Sequence, residues 1–182
     1  MTYGGLTYRI SQVSLVVRDI DSTMAAYTEA FGWGPWQVYD HVPPNHHDSQ
    51  VRGERVDFTL RGAECMVGDL NFELLQPLSG PSVWQEFLDT KGEGIASIAV
   101  MFDAPAESEA CKSAFAAHGI GVVSSARIGE HIEYYYLDTE ARFKCMIESG
   151  SGHALDFMPP SYVFPPQTPD RAVSGRPRGA AQ

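Results

Sequence analysis

The stretch Gln12-Val-Ser-Leu-Val-Val-Arg-Asp19 alternates branched apolar residues with small or polar ones and ends in an acid. A period of two is typical of a β-strand whose two faces differ. The chain repeats the pattern at Ser97-Ile-Ala-Val-Met-Phe-Asp103, which starts 85 positions later (97 minus 12). A pattern that occurs twice at this distance indicates two related modules, because solenoid arrays repeat more often and at shorter periods.

The residues after the first stretch predict a helix and three further strands. Apolar residues recur at helical spacing as far as Phe31, where Gly32 ends the helix, and Asp21 and Ser22 are the N-cap candidates. The strands are expected at 36–41, 55–60 and 69–77. Residues 42–54 hold two prolines and paired histidines, so we expect a long irregular loop there that is able to act as a lid.

The second half repeats this order of elements. It predicts a strand at 96–102, a helix at 106–118 and strands at 122–128, 131–137 and 143–149. Between the halves, Ser82 to Thr90 predicts a short linker helix that ends before Gly92. After Gly152 the chain is rich in proline, glycine and arginine, which is typical of an extended or disordered tail.

These patterns together predict the α+β class, with two pseudo-symmetric βαβββ modules that form a cup-shaped mixed β-barrel. The domain is expected to span 7–152, with module one at 7–79, the linker helix at 80–93 and module two at 94–152. Residues 153–182 form the predicted proline-rich tail.

The composition limits which partners the protein is expected to bind and in which cell compartment it is expected to lie. A chain of 182 residues, 43% of them hydrophobic, can bury one compact core. With 13 Lys and Arg against 23 Asp and Glu, its net charge of -10 repels phosphate backbones and anionic lipid, so we expect neither nucleic acid nor membrane as a partner. The apolar runs are too short to cross a bilayer, and residues 1–11 lack a signal-peptide apolar region, which predicts a cytoplasmic location. Cys65, Cys111 and Cys145 are widely spaced and are expected to be reduced.

Two copies of a strand, a helix and three strands, whose inner faces line a cup, resemble the vicinal oxygen chelate superfamily. This superfamily includes glyoxalases, bleomycin-binding proteins, extradiol dioxygenases and methylmalonyl-CoA epimerases. The resemblance covers roughly Tyr8 to Gly150 and is closest to the epimerase branch. The motifs that carry it are Val13-Ser-Leu-Val-Val-Arg-Asp-Ile-Asp21, Phe72-Glu-Leu-Leu-Gln-Pro-Leu78 and Lys91-Gly-Glu-Gly-Ile-Ala-Ser-Ile-Ala99.

The resemblance implies a metal site whose usual ligands this chain partly lacks. In the epimerase branch a divalent metal is held by a His, a Glu or Gln, a second His and a Glu. The matching positions here are Gln12, Glu73, Ser97 and Glu148. Both imidazoles are missing, and the remaining oxygens bind transition metals weakly, so we expect no tightly held metal or other cofactor. Two options stay open: a weakly held divalent cation, or a site recruited from His41, His46, His47 or His131.

The resemblance also implies a catalytic base on the third strand, and Asp57 occupies the matching position. Two carboxylates that flank one carbon can remove a proton from one face and return it to the other. We therefore predict Asp57 and Glu148 as acid and base, with Glu73 orienting the substrate. Small or polar residues on the inner strand faces predict a roomy, polar cup, whose donors would stabilise the enolate oxygen. The substrate-binding candidates are Gln12, Ser14, Ser97, His131, Tyr134, Tyr136 and Lys144.

The leading hypothesis is an isomerase or epimerase-like enzyme that moves a proton on a small oxygenated carbon acid. The resemblance admits an acyl-CoA substrate, and a ketone or lactone metabolite suits the same chemistry. Two alternatives stay open: a metal-free lyase or dehydratase, and a non-catalytic protein that binds a small molecule of the antibiotic type. Members of the superfamily commonly pair, so the resemblance also implies a homodimer.

Overall fold

The computed structural model describes residues 2–3 and 5–166. Its strands are β1 Thr2–Tyr3, β2 Leu6–Thr7, β3 Gln12–Val16, β4 Trp36–His41, β5 His46–Val51, β6 Glu54–Arg55, β7 Thr59–Val67, β8 Leu70–Ser79, β9 Gly94–Phe102, β10 Val122–Ile128, β11 Ile132–Leu137, β12 Met146–Ser151 and β13 Tyr162–Phe164. Its helices are α1 Ile20–Phe31, α2 Val83–Lys91, α3 Pro105–Ala116, α4 Glu140–Phe143 and α5 Ala154–Phe157. None of these helices is long and apolar enough to cross a membrane.

One mixed sheet of eleven strands carries both modules. In spatial order, β4, β7, β8 and β3 come from module one, and β9, β12, β11 and β10 come from module two. The modules meet where β3 pairs antiparallel with β9, which places Gln12 opposite Ala99 and Ser14 opposite Ser97. The predicted α+β cup of two βαβββ modules is confirmed, although the hydrogen-bonded sheet formed by the described strands does not close into a barrel.

Helix α1 packs on the outer face of module one, where its buried Met24 joins an outer core. Its N-cap is Asp19, whose side chain accepts a hydrogen bond from the Ser22 amide at 3.0 Å. The predicted N-caps were therefore wrong, because Asp21 and Ser22 already lie in the first turn. At the other end, Gly32 adopts the left-handed conformation that ends the helix, as predicted.

Helix α2 joins the two modules and lies against the inner side of the cup. Ser82 caps its first turn, and Trp84 extends from it into a core shared by both modules. The Trp84 ring contacts those of Phe58, Tyr134 and Tyr136, with centroid distances of 5.4, 6.3 and 5.1 Å. Aromatic side chains thus occupy much of the cup, so the prediction of a roomy cup was wrong.

Residues 42–54, predicted as an irregular loop, contain strand β5 and the first residue of β6. Strand β5 pairs with β10 at the edge of module two, and it buries His46, Ser49 and Val51. The sequence pattern did not indicate this strand, because two of its three buried residues are polar. In addition, Asp48 adopts φ of 54° and interrupts the alternation of the two strand faces. Residues 42–45 therefore carry the chain from module one to the edge of module two.

Two predicted strands begin at the wrong residue. The third strand of module one, β7, starts at Thr59, so Asp57 lies in the segment before it. The last strand of module two, β12, starts at Met146, because the short helix α4 occupies the preceding residues. Lys144 is the C-cap of α4, with φ of 71°, and is not part of a strand.

The first part of the predicted tail is ordered. Residues 154–157 form α5, and β13 pairs antiparallel with β4, with Val163 opposite Gln37. Tyr162 and Phe164 pack against the outer core of module one. Strand β13 is extended, as one of the two predicted options allows, whereas the short helix α5 is a departure from the predicted extended or disordered tail. Residues 167–182 lie outside the described part of the chain.

Candidate functional site

The cup holds a partly open cavity of about 60 Å³ between the two modules and α2. This space holds a few water molecules, or the reacting end of a larger ligand. The described lining contains neither Lys nor Arg. Its titratable members are His41, Glu64, Glu73, Tyr134, Tyr136, Glu148 and His153.

Three buried carboxyl groups line this cavity, and both modules contribute to them. Glu64 on β7 is paired with Glu73 on β8, so the two side chains lie on the same face of the sheet. Glu148 lies on β12 of module two. The fold therefore brings carboxyl groups from distant parts of the sequence to one cavity.

One oxygen of each carboxyl group accepts a hydrogen bond from a neighbouring side chain. The bonds run from Ser14 Oγ to Glu73 Oε2 at 2.6 Å, from Asn71 Nδ2 to Glu64 Oε2 at 2.6 Å, and from the Tyr136 hydroxyl to Glu148 Oε2 at 2.8 Å. These bonds fix the orientation of the carboxyl groups. Within residues 5–166 the second oxygen of each accepts no hydrogen bond, which leaves it for a ligand.

Burial raises the pKa of all three carboxyl groups. It raises the pKa of Glu64 and of Glu148 to about 7, against the opposing effect of the hydrogen bonds from Asn71 and Tyr136. Burial, followed by the charges of Glu148 and Glu64, raises the pKa of Glu73 well above its usual range. Near neutral pH, Glu64 and Glu148 can therefore exchange protons, and the raised pKa of Glu73 favours its protonated form.

Two buried histidines lie in the cup. His41 lines the cavity, and burial lowers its pKa to about 4. His46 Nε2 lies 2.8 Å from the Tyr134 hydroxyl, and burial also lowers the pKa of His46 to about 4. A Cβ at Gly62 would lie 3.2 Å from His41 Nε2 and 3.7 Å from Glu73 Oε1, so the glycine leaves room for both groups. At pH 7 both imidazoles are neutral and add no positive charge to the cavity.

Most of the predicted site residues lie at the cavity. Five of them line it: Gln12, Glu73, Tyr134, Tyr136 and Glu148. Ser14 supports Glu73 from the neighbouring strand, and Ser97 is buried opposite Ser14 on β9. The inner strand faces therefore carry the site, as the alternation in the sequence predicts.

Three predicted site residues lie outside the cavity. Asp57 is exposed, because it precedes β7, so the prediction that Asp57 and Glu148 flank one carbon was wrong. His131 is exposed, and its ring packs against that of Phe157 at 5.3 Å. Lys144 is exposed at the end of α4, because no strand places it on the face of Glu148.

Sequence reasoning missed Glu64, which takes the place expected for Asp57. The prediction ended the third strand at Leu60, whereas β7 continues to Val67. The turn at Gly68 pairs Val67 with Leu70, and counting outward along this hairpin pairs Glu64 with Glu73. If the third strand had been predicted to continue beyond Leu60, the same counting would have indicated that Glu64 lies beside Glu73.

The four positions that bind metal in the epimerase branch do not form a suitable ligand set here. Gln12 offers a neutral amide and Ser97 a neutral hydroxyl, and burial raises the pKa of Glu73 well above its usual range, which disfavours the carboxylate that a metal needs. Across residues 2–3 and 5–166, no three His, Cys, Asp or Glu side chains are arranged to hold a metal. A cation would have to displace protons from the carboxyl groups without any imidazole ligand, so these residues do not fit the metal.

The alternative histidine site is not assembled either. His41 and His46 lie in the cup with ring centroids 6.3 Å apart. His47 Nδ1 instead contacts Asp48 at 2.9 Å, and His131 is exposed. The histidines therefore face different surroundings and do not converge on one point.

Comparisons with known proteins agree with this fold. The sequence profile of the glyoxalase/bleomycin resistance protein/dioxygenase superfamily matches residues 11–136. A hypothetical protein from Bacillus halodurans is similar in structure, with a TM-score of 0.61 at 17% identity, over 81% of this chain and 96% of that one. Methylmalonyl-CoA epimerase from Mycobacterium tuberculosis has a TM-score of 0.58 at 20% identity, over 86% and 96%. The Streptomyces coelicolor epimerase with 2-nitronate-propionyl-CoA has a TM-score of 0.57 at 19% identity, over 81% and 99%.

The family profile and the solved structures support different conclusions about this chain. No curated protein sequence matches the chain. Identities of 17–20% to the solved structures indicate a common fold, but they do not establish a common activity or substrate. The family profile, however, covers well over half of the 182 residues. The chain therefore belongs to the glyoxalase/bleomycin resistance protein/dioxygenase superfamily.

Proposed function

We propose that this chain is an epimerase-like isomerase that moves a proton on a small carbon acid bound in the cup. The observation that carries the proposal is the set of buried carboxyl groups, Glu64, Glu73 and Glu148, which both modules contribute to one cavity. Proton transfer at carbon needs acid and base groups on different sides of that carbon, with pKa values near the working pH. The contribution of these groups by two modules to one cavity supports such an arrangement.

The proposed reaction has two proton transfers. Glu148, as a carboxylate, removes the proton next to a carbonyl group, and the electron pair of the broken bond forms an enolate. Glu64, in its protonated form, then donates its proton to the same carbon from the other side. The carbon is inverted, and the two carboxyl groups have exchanged protonation states until solvent restores them. Glu73 orients the substrate.

The cavity limits which substrates suit this reaction. At about 60 Å³ it admits the reacting end of a molecule, while the remainder has to extend outward. Two of the structural relatives are methylmalonyl-CoA epimerases, so methylmalonyl-CoA is the first thioester to test. Butanone represents an uncharged ketone of about the size that the cavity admits.

Exchange of hydrogen for deuterium measures the proposed step directly. In heavy water, the protein is expected to exchange the hydrogen next to the carbonyl group of butanone, as followed by proton NMR. Methylmalonyl-CoA, which carries a carboxylate on the reacting carbon, is tested in parallel. The variants Glu148→Gln and Glu64→Gln are expected to slow this exchange by about 10²–10⁴-fold, because each loses one acid-base group. The matched control Asp57→Asn is expected to exchange at the wild-type rate, because Asp57 is exposed outside the cavity.

A protein that only binds a small molecule is the second candidate, and the aromatic wall of Trp84, Tyr134 and Tyr136 favours it. Such a protein would exchange no deuterium, and its Gln variants would keep their affinity for the ligand. Absence of exchange into both compounds would contradict the isomerase, as would full exchange in both Gln variants.

A further inference from the structure

Trp84 presents a buried hydrogen-bond donor that lacks an acceptor. Its side chain is 1% exposed, and its Nε1 has no hydrogen-bond partner within residues 5–166. An indole N–H can only donate, and buried donors in folded proteins are nearly always satisfied by protein, water or a ligand. Trp84 is one of the residues that line the cavity, so a ligand in the cavity is the candidate acceptor for this N–H.

The surroundings of Trp84 hold this donor in place. Helix α2, capped by Ser82, positions the backbone, and three aromatic rings contact the indole. The nearest is Tyr136, whose ring lies almost perpendicular to the indole, at 89° and 5.1 Å. A donor fixed before the ligand arrives loses little freedom on binding, which is the property of a group that stabilises developing charge.

The charge of the cavity decides which acceptor it favours. Its wall holds Glu64, Glu73 and Glu148, and the described lining supplies no Lys or Arg. A ligand carboxylate would place a further negative group in this buried space without a cation to pair with. A neutral carbonyl oxygen accepts the indole hydrogen bond and adds no charge.

We propose that the cavity selects an uncharged carbonyl compound and that the Trp84 indole N–H donates a hydrogen bond to its carbonyl oxygen. This inference rests on the proposed function, in which the proton next to that carbonyl group is moved. Removal of the proton makes the oxygen negative, so the same hydrogen bond strengthens as the reaction proceeds. Trp84 is then a catalytic residue, and its hydrogen bond also favours the binding of a ketone over that of a carboxylic acid.

The indole resonances of the protein provide the test. The chain has three tryptophans, Trp33, Trp36 and Trp84, so nitrogen-15 labelling yields three indole N–H cross-peaks. The peak of Trp84 is identified by its loss in Trp84→Phe. Trp36 is an internal control, because its Nε1 already donates to Thr28 Oγ1 at 3.0 Å.

Butanone and propionate are the matched probes, since they are similar in size and differ in charge at about pH 8. Butanone is expected to move the Trp84 peak to higher proton frequency in a saturable way and to leave the Trp36 peak unchanged. Propionate is expected to move neither peak. Trp84→Phe is expected to slow deuterium exchange into butanone by about 10²–10³-fold, mainly in kcat and with little change in KM.

The inference would be overturned if the Trp84 peak did not move up to the solubility limit of butanone. This result is expected if the indole N–H points at the ring of Tyr136 and not at the ligand. An equal shift with propionate would overturn it too. If Trp84→Phe does not fold, the wild-type titration still decides, because contacts to the Tyr136 ring protons also assign the peak. A butanone-induced shift without deuterium exchange would keep this inference and remove only the proposed isomerase.

Discussion

Three carboxyl groups are buried where ionisation is unfavourable, those of Glu64, Glu73 and Glu148. Each is held by a donor from a neighbouring residue, and burial still raises the pKa of each one. Ionising a buried carboxyl group costs free energy that folding must supply. Clusters of this kind are typical of functional sites, where a shifted pKa serves the chemistry.

The pH dependence of stability is the first consequence at this scale. An unfolded glutamate ionises near its ordinary value of 4.5, whereas Glu148 in the folded protein ionises at about 7. Between these values rising pH favours the unfolded state, so the contribution of Glu148 to stability falls from about pH 4.5 to about pH 7. His41 and His46 act in the opposite direction, because their folded pKa of about 4 lies below the ordinary 6.5.

A comparison of Glu148→Gln with the wild type isolates the carboxyl contribution, because both proteins keep the histidines. Glutamine can still accept the Tyr136 hydrogen bond. We expect the variant to gain on the order of 2 kcal/mol in free energy of unfolding at about pH 8, relative to wild type, and little at about pH 4.5. Urea denaturation at the two pH values measures this difference. A gain of the same size at both would refute the assignment.

Among the elements, α2 and α1 have similar caps but different roles. Ser82 caps α2 and Asp19 caps α1, each through a side-chain oxygen that accepts a backbone N–H. Helix α2 carries Trp84 into the cup, whereas α1 packs on the outer face of module one. Loosening either first turn therefore affects stability, but only α2 is connected to the cavity.

Removal of the two caps tests this difference. Ser82→Ala and Asp19→Ala are each expected to lower the free energy of unfolding by about 1 kcal/mol, measured by urea denaturation. Only Ser82→Ala is expected to weaken butanone binding, followed through the Trp84 indole peak, because its helix positions that ring. Equal weakening in both variants would mean that α2 has no special connection to the site.

In the whole molecule, each module extends the sheet of the other. Strand β5, from the chain of module one, pairs with β10 at the edge of module two. Strand β13, which follows module two, pairs with β4 at the edge of module one. Residues from both modules also share the core inside the cup. These exchanged strands and the common core couple the two halves mechanically.

We therefore expect the modules to unfold as one cooperative unit. Trp33 and Trp36 lie in module one, and Trp84 lies in the core that both modules share, so tryptophan fluorescence reports module one and this junction. Far-UV circular dichroism reports both halves. The two signals are expected to give the same urea midpoint, as in two-state unfolding. A circular dichroism transition that continues after the fluorescence change is complete would show that module two unfolds separately.

The sequence by itself determined the two modules, because strand and helix periods are local properties of neighbouring residues. It also indicated Glu73 and Glu148, through the positions that they match in the epimerase branch on the last strand of each module. Only the tertiary structure decided which other groups join them. Asp57 lies outside because β7 begins two residues later, and Glu64 lies inside because hairpin pairing places it beside Glu73. Burial, shifted pKa values and the unsatisfied donor of Trp84 arise from contacts between residues far apart in the chain, which no local pattern contains.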